Sequence, residues 1–132
     1  MDKREFMKLM LLSPALVLYP SFSHAGCYPS GIVYTKQDPG KWKNKIRSHV
    51  PEIRIENRRV TIITHHPMSM SHYIVRHTLV LQDGRVVGER TFQPYESEAR
   101  SVFYLPEGYK GRIYATSFCN LHDLWVNVMV VR

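Results

Sequence analysis

The segment YIVRHTLVLQDGRVVGERTF, residues 73–92, predicts a β-hairpin and with it the class of the fold. Residues 73–81 are rich in the branched and aromatic side chains that strands favour. Asp83-Gly84 supplies the positive backbone angles that a two-residue hairpin turn requires. Residues 86–92 return as a second strand, so the two strands are expected to pair in the antiparallel sense.

Five further segments have the length and side-chain pattern of short strands and are separated by turn residues. They span residues 52–56, 59–64, 101–105, 112–117 and 124–131, and Asn57 lies between the first two. No stretch after residue 25 shows a helical period. The sequence therefore predicts an all-β fold, an immunoglobulin-like antiparallel β-sandwich of about seven strands.

The composition fits a single globular domain with a basic surface. The chain has 132 residues, 44% of them hydrophobic, and a formal net charge of +7. The basic residues are spread along the chain, so they predict a general positive field that attracts anions. Nucleic acid is not the expected partner, because binding it would call for several stacking aromatics among the basic residues.

The first 25 residues are predicted to be an export signal. Lys3, Arg4 and Lys8 give a positive start, an apolar run over residues 9–19 follows, and Ser23-His24-Ala25 resembles a cleavage site. The apolar run is too short to span a bilayer, so no transmembrane helix is expected in the mature chain. A periplasmic location follows.

Two details of this signal refine the expectation. Residues 3–8, KREFMK, resemble a twin-arginine signal in which lysine stands at the first arginine. Ala25-Gly26-Cys27 resembles the end of a lipoprotein signal, although His24 stands where an aliphatic residue is usual. Lipid anchoring through Cys27 is therefore an alternative, as is a disulfide between Cys27 and Cys119.

The rest of the chain divides into a loose N-terminal leader, residues 26–45, and a metal-binding β-sandwich domain, residues 46–132. The leader is expected to be a solvent-exposed segment without packed elements, because Pro29, Gly31, Pro39 and Gly40 interrupt it. Whether the domain associates into a homo-oligomer stays open.

Histidines and a cysteine fall where the predicted strands end. Cys119 and His122 are three residues apart and can hold one metal ion from a single turn. His66 and His72 flank a predicted loop, and His49 precedes the first predicted strand. Among the other histidines, His65 is a weaker ligand candidate than His66. His77 lies inside a predicted strand and is expected to have a structural or surface role.

These residues resemble the iron-site motifs of the superoxide reductase family, which includes neelaredoxin and the catalytic domain of desulfoferrodoxin. The resemblance rests on five positions in the same order: His49 before Pro51, His66-Pro67-Met68, His72-Tyr73-Ile74, and Cys119-Asn120-x-His122 followed by Trp125. It extends from about residue 47 to the end of the chain.

The resemblance implies one mononuclear iron held by four equatorial imidazoles, from His49, His66, His72 and His122, and by the axial thiolate of Cys119. Superoxide would bind at the open sixth position, accept one electron and leave as hydrogen peroxide. Neutral imidazoles and a thiolate are ligands that suit iron. The sequence contains no Cys-x-x-Cys pair for a second iron centre, so an external one-electron donor is expected.

The chain departs from the family where a glutamate and a lysine commonly precede the first histidine, because it has Arg47 and Ser48. Arg47 is a candidate catalytic cation near the open iron position, or alternatively a solvent-exposed side chain. Glu52 is a candidate replacement for the missing carboxylate. Asp123 replaces a glycine, and aspartate tolerates the left-handed backbone that such a position would need.

Two other functions stay open at this stage. Residues 65–72 are rich in histidine and methionine, which suit copper, so the protein could be an exported copper carrier with Met68 and Met70 as ligands. It could also be a non-catalytic iron protein that binds a small ligand such as nitric oxide. The Cys119 loop argues against the copper carrier, and a turnover assay would distinguish the third reading.

Overall fold

The computed structural model of the protein describes residues 28–132, which form a two-sheet β-sandwich. The strands are β1 (Val33–Tyr34), β2 (Glu52–Glu56), β3 (Arg59–Thr64), β4 (Ile74–Leu81), β5 (Val86–Thr91), β6 (Ala99–Tyr104), β7 (Gly111–Cys119) and β8 (Asp123–Val131). A 3-10 helix, Gly40–Lys45, leads directly into a one-turn α-helix, α1 (Ile46–His49). Within residues 28–132, no helix is long and apolar enough to cross a membrane.

The hairpin predicted over residues 73–92 is confirmed. β4 pairs with β5 in the antiparallel sense, and Gly84 has a φ of 91° in the turn between them. The second predicted hairpin also forms, between β2 and β3, and Asn57 has a φ of 58° at its turn. Glycine and asparagine tolerate these left-handed angles better than other residues, which is why the turns fall there.

The two sheets contain five and three strands, in the orders β1-β8-β7-β4-β5 and β2-β3-β6. Alternate residues of the strands face inward, and apolar side chains from the two sheets form the main core. Its fully buried members include Val60 and Ile62 from the small sheet and Leu79 and Ile113 from the large one. The all-β sandwich predicted from the sequence is therefore present.

The segment preceding α1 differs from the loose leader that the sequence predicted. β1 pairs with β8, and this pair is parallel in a sandwich predicted to be antiparallel. Tyr34 is only 4% exposed, and its ring lies 5.3 Å from that of Trp125. A two-residue strand and a single helical turn are too short to give a periodic sequence signal, so both were missed. The predicted export signal and Cys27 lie outside the described residues.

A cluster of polar side chains is buried between the sheets. His77, Thr64, Ser101 and Ser117 are each at most 2% exposed. His77 contacts the Thr64 hydroxyl through Nε2 and the Ser101 hydroxyl through Nδ1, both at 2.8 Å, and Thr64 contacts the Ser117 hydroxyl at 2.8 Å. Burial, with a smaller contribution from the charge of Arg90, lowers the pKa of His77 to about 3. The structural role predicted for His77 is confirmed.

The neutral state of buried His77 predicts acid sensitivity of the metal-free protein. Its pKa is depressed in the folded state from 6.5 to about 3, so the unfolded chain takes up the proton first as pH falls. The stabilising contribution is present above pH 6.5 and is lost as pH drops toward 3, by at most about 1.4 kcal/mol per pH unit. Urea unfolding across this range should show a shallower pH slope for His77→Gln. Equal slopes in the two proteins would contradict the prediction.

Candidate metal centre

Five side chains meet at one end of the sandwich, where the strand ends and α1 come together. They are His49, His66, His72, Cys119 and His122. One ligand atom from each lies within 4.8 Å of all the others. The structure thus brings together all five residues proposed from the sequence as metal ligands.

The ring nitrogens are arranged at the spacing that a shared metal ion would require. His72 Nε2 lies 3.0 Å from His66 Nε2 and 3.1 Å from His122 Nδ1, and His122 Nδ1 lies 3.1 Å from His49 Nε2. Metal–imidazole bonds of about 2.1 Å at right angles would place neighbouring nitrogens about 3.0 Å apart. Cys119 Sγ lies 3.6 Å from His122 Nδ1. This donor set fits one metal ion.

Two of the rings are held by hydrogen bonds from their outer nitrogens. His49 Nδ1 is 3.1 Å from the Lys45 carbonyl oxygen, and His66 Nδ1 is 2.5 Å from the Pro67 carbonyl oxygen. A carbonyl oxygen can only accept, so each Nδ1 is assigned the proton, and for His49 the Ser48 hydroxyl oxygen, 2.8 Å from Nδ1, can accept from the same N–H. In the neutral ring, Nε2 then presents its lone pair to the centre, which is the tautomer that metal binding requires.

Burial keeps these histidines neutral. Burial, with smaller contributions from the charges that His66 and His122 would carry, lowers the pKa of His49 to about 4. Burial is also the main cause of the lowered pKa values of His66 and His122. Neutral imidazoles bind metal without first releasing a proton, so the site is ready for a cation at neutral pH.

The cysteine is a buried free thiol. Burial raises the pKa of Cys119, and the backbone N–H groups of Leu121 and His122 oppose that rise by donating to the sulfur. A bound cation would deprotonate a coordinating thiol outright. The thiolate would then be held by the turn that also carries His122.

Asn120 joins the loop that carries His66 and His72 to the turn that carries Cys119 and His122. Its side-chain amide donates to the Ser71 carbonyl oxygen at 3.0 Å, and its Oδ1 accepts from the Tyr73 backbone N–H at 3.0 Å. The Asn120 backbone N–H also donates to the Tyr73 carbonyl oxygen. The sequence motif included Asn120 but gave no sign of this role, because the contact joins residues almost 50 positions apart.

The turn after Cys119 is fixed by Asp123 and Trp125. Asp123 has a φ of 62°, the left-handed conformation in which aspartate was expected to be tolerated. The indole N–H of Trp125 donates to the His122 carbonyl oxygen at 3.0 Å, and the fully buried ring packs 5.7 Å from that of His49. Both residues therefore help to hold His122 in place.

The remaining candidates lie away from the donor group. His65 is exposed and contacts Glu52 at 2.6 Å, and Glu52 also pairs with Arg54, so neither His65 nor Glu52 belongs to the group. Met68 packs against the apolar cluster that contains Cys119, as expected for a packing residue beside an iron site. Met70 is 78% exposed, which gives no support to a copper site built from both methionines.

Two cations and one aromatic ring lie beside the site, from Arg47, Lys45 and Trp42. Arg47 is exposed on α1, two residues before His49. The charge of half-buried Lys45 also reaches the ligands, where it adds to the effects of burial and of His72 in lowering the pKa values of His66 and His122. Trp42, expected in a solvated segment, packs edge-on against His122 with ring centroids 4.7 Å apart.

Comparisons with known proteins agree with this site. The family model described as Desulfoferrodoxin matches residues 40–128. A superoxide reductase of Pyrococcus abyssi is 32% identical over 104 residues, which cover 67% of this chain and 89% of the relative. The solved neelaredoxin-type superoxide reductase of Ignicoccus hospitalis superposes with a TM-score of 0.66 at 27% identity, over 76% of this chain and 94% of the other. A one-iron superoxide reductase of Giardia intestinalis gives a TM-score of 0.58 at 27% identity, over 64% and 99%.

Adjacent histidines offer a matched test of the donor group. His66→Ala removes a nitrogen that lies 3.0 Å from another donor nitrogen, whereas His65→Ala removes an exposed ring that contacts Glu52. After loading with ferrous iron, the unaltered protein and His65→Ala should each hold about one metal ion per chain, and His66→Ala should bind it at least about tenfold more weakly. Elemental analysis after dialysis measures this. Metal loss in His65→Ala with retention in His66→Ala would reverse the assignment.

Proposed function

Because this chain belongs to the desulfoferrodoxin family, we propose that it reduces superoxide to hydrogen peroxide at a mononuclear iron site. The iron ligands are His49, His66, His72, Cys119 and His122. The observation that carries the proposal is the convergence of their donor atoms within 4.8 Å, in a chain similar to proteins named superoxide reductases. The reaction consumes one superoxide, one electron and two protons and yields one hydrogen peroxide.

Ferrous iron in this site would supply the electron to superoxide and would be regenerated by a donor. The protein's own residues prepare the site. The Lys45 and Pro67 carbonyl oxygens fix the tautomers of His49 and His66, and the turn beginning at Cys119 holds the sulfur beneath two backbone N–H groups. The buried sulfur is thereby shielded from bulk water and from oxidation.

Two cations next to the site support an anionic substrate. Lys45 ends the 3-10 helix and is half-buried, and its charge reaches His66 and His122. Arg47 follows on the exposed surface of α1. Both precede His49, in the region where the family commonly has a glutamate and a lysine. We assign to them the attraction of superoxide, with the net charge of +7 adding a weaker long-range pull.

The reducing electron is proposed to come from a separate donor. The loop that carries Cys119 and His122 has Leu121 at its tip, and this side chain is 58% exposed. His122 itself is only partly buried. A donor protein could therefore approach one ligand of the site closely without unfolding any strand.

The proposed reaction is tested by rapid mixing of superoxide with the anaerobically reduced iron protein. Oxidation should produce a thiolate-to-iron absorption band at a rate proportional to superoxide, and repeated re-reduction should restore the reaction. Cys119→Ser should lack the band. A protein whose iron does not react with superoxide, or reacts once and cannot be cycled, would instead be a small-ligand-binding iron protein.

Lys45 and Lys43 provide a matched pair for the steering role. Lys45→Gln should lower the second-order rate with superoxide by about two- to threefold at low salt, because one nearby charge contributes on the order of 0.5 kcal/mol. The loss should shrink as added salt screens the charge. Lys43→Gln removes an equal charge from an exposed position and should have less effect. Equal effects of the two substitutions would indicate that only net charge matters.

We also propose that the protein is exported to the periplasm and cleaved after Ala25. The support is the sequence of residues 1–25, with its basic start, apolar run and small residues at the cleavage site. Cell fractionation with N-terminal sequencing should give a periplasmic chain that begins at Gly26. A chain that retains Met1 or Asp2 in the cytoplasm would refute export, and a lipid-modified Cys27 at the N-terminus would show anchoring instead.

A further inference from the structure

The buried polar cluster of His77, Ser101, Thr64 and Ser117 spans the two sheets. Thr64 lies on β3 and Ser101 on β6, both in the three-stranded sheet. His77 lies on β4 and Ser117 on β7, both in the five-stranded sheet. All three of the 2.8 Å contacts within the cluster therefore join one sheet to the other.

Two members of this polar cluster lie two positions before proposed ligands in the sequence. Thr64 is the last residue of β3 and precedes His66 by two positions, and Ser117 precedes Cys119 by two positions on β7. The hydrogen bond between the Thr64 and Ser117 hydroxyls thus ties the strand that leads to one imidazole to the strand that carries the thiolate. Within residues 28–132, no other hydrogen bond joins β3 to β7.

The cluster also contacts the apolar packing around the cysteine. Phe92 stacks edge-on against His77, with ring centroids 4.8 Å apart, and it is buried in one cluster with Cys119, Ile74 and Ala99. A shift of His77 would therefore be transmitted both through hydroxyl groups to Thr64 and Ser117 and through ring packing toward Cys119.

The hydrogen bonds give this cluster a directional geometry that apolar packing would lack. A neutral imidazole donates from one nitrogen and accepts at the other, so His77 can satisfy Ser101 and Thr64 together only when both hydroxyls are at hydrogen-bonding distance. Apolar residues of similar volume would fill the same space and often give equal or greater stability. What the polar cluster adds is one fixed separation of the two sheets at this end of the sandwich.

We propose that the polar cluster, with His77 as its hub, is a positioning device that sets the distance between the strand leading to His66 and the strand carrying Cys119. Its members are positioning residues, since they act through the backbone and do not contact the metal or the substrate. The inference rests on the proposed metal site and deepens it. On this proposal, the strength of the thiolate–metal bond depends on the hydrogen bonds within the polar cluster, whose members do not contact the metal.

Thr64→Val tests the device with little change of side-chain shape. Cobalt(II) titrated into the metal-free protein serves as the probe, because its thiolate absorption reports the bond to Cys119 without any turnover. Thr64→Val should shift this band and weaken cobalt binding about tenfold, and Thr64→Ser, which keeps the hydroxyl, should restore both. Ser117→Ala should act in the same direction and replaces Thr64→Val if that variant does not fold.

Leu79→Ala is the matched control for loss of stability. Leu79 is fully buried two residues after His77 on β4, in the main core and outside the polar cluster. Truncation should lower the free energy of unfolding by about 2–5 kcal/mol yet leave the cobalt band and affinity unchanged in the folded protein. An unshifted band in Thr64→Val and Ser117→Ala would overturn the positioning role, as would an equal shift in Leu79→Ala.

The two proposals fail in different ways. An unaltered protein that binds cobalt through the thiolate but does not react with superoxide refutes the proposed function and leaves the positioning role to be judged by the variants. A protein that reduces superoxide while its variants keep the cobalt band refutes the positioning role alone. A protein that binds neither iron nor cobalt refutes both.

Discussion

The structure depends on one constraint, the meeting of four imidazole nitrogens and one sulfur at a single point. These five groups come from four separate stretches of the chain, and neighbouring nitrogens lie 3.0–3.1 Å apart. Such an arrangement is unfavourable without a cation, because burial deprives the ring nitrogens of water and brings the lone pairs of neutral rings together. The sandwich supplies the rigidity that keeps the groups together until a metal ion binds.

Several surrounding residues hold the five donor groups in position. Backbone carbonyl oxygens fix the ring tautomers of His49 and His66, Asn120 joins the two ligand loops, and Trp125 holds the turn that presents His122. The segment before α1 contributes as well, since β1 extends the large sheet and Trp42 covers the edge of His122.

Much of this could be predicted from the sequence, and what could not has a physical reason. Alternation and turn residues located the hairpin at Asp83-Gly84, and the spacing of Cys119 and His122 located the metal centre, because these signals are local. The parallel pairing of β1 with β8 and the link from Asn120 to Ser71 join distant residues and leave no local pattern. The sequence suggested Arg47 as the nearby cation, and the structure adds half-buried Lys45, whose charge contributes to lowering the pKa values of His66 and His122. Side-chain direction at a helix end is set by tertiary packing.

The most direct test of the account is the yield of hydrogen peroxide per superoxide consumed by the reduced iron protein with an excess of electron donor. A reductase takes its electron from the donor, so the account predicts one peroxide for each superoxide and no release of dioxygen. One peroxide for every two superoxides, with dioxygen evolved, would show dismutation and contradict the account. The same measurement on Cys119→Ser, which lacks the sulfur ligand, separates reaction at this site from reaction with loosely bound metal.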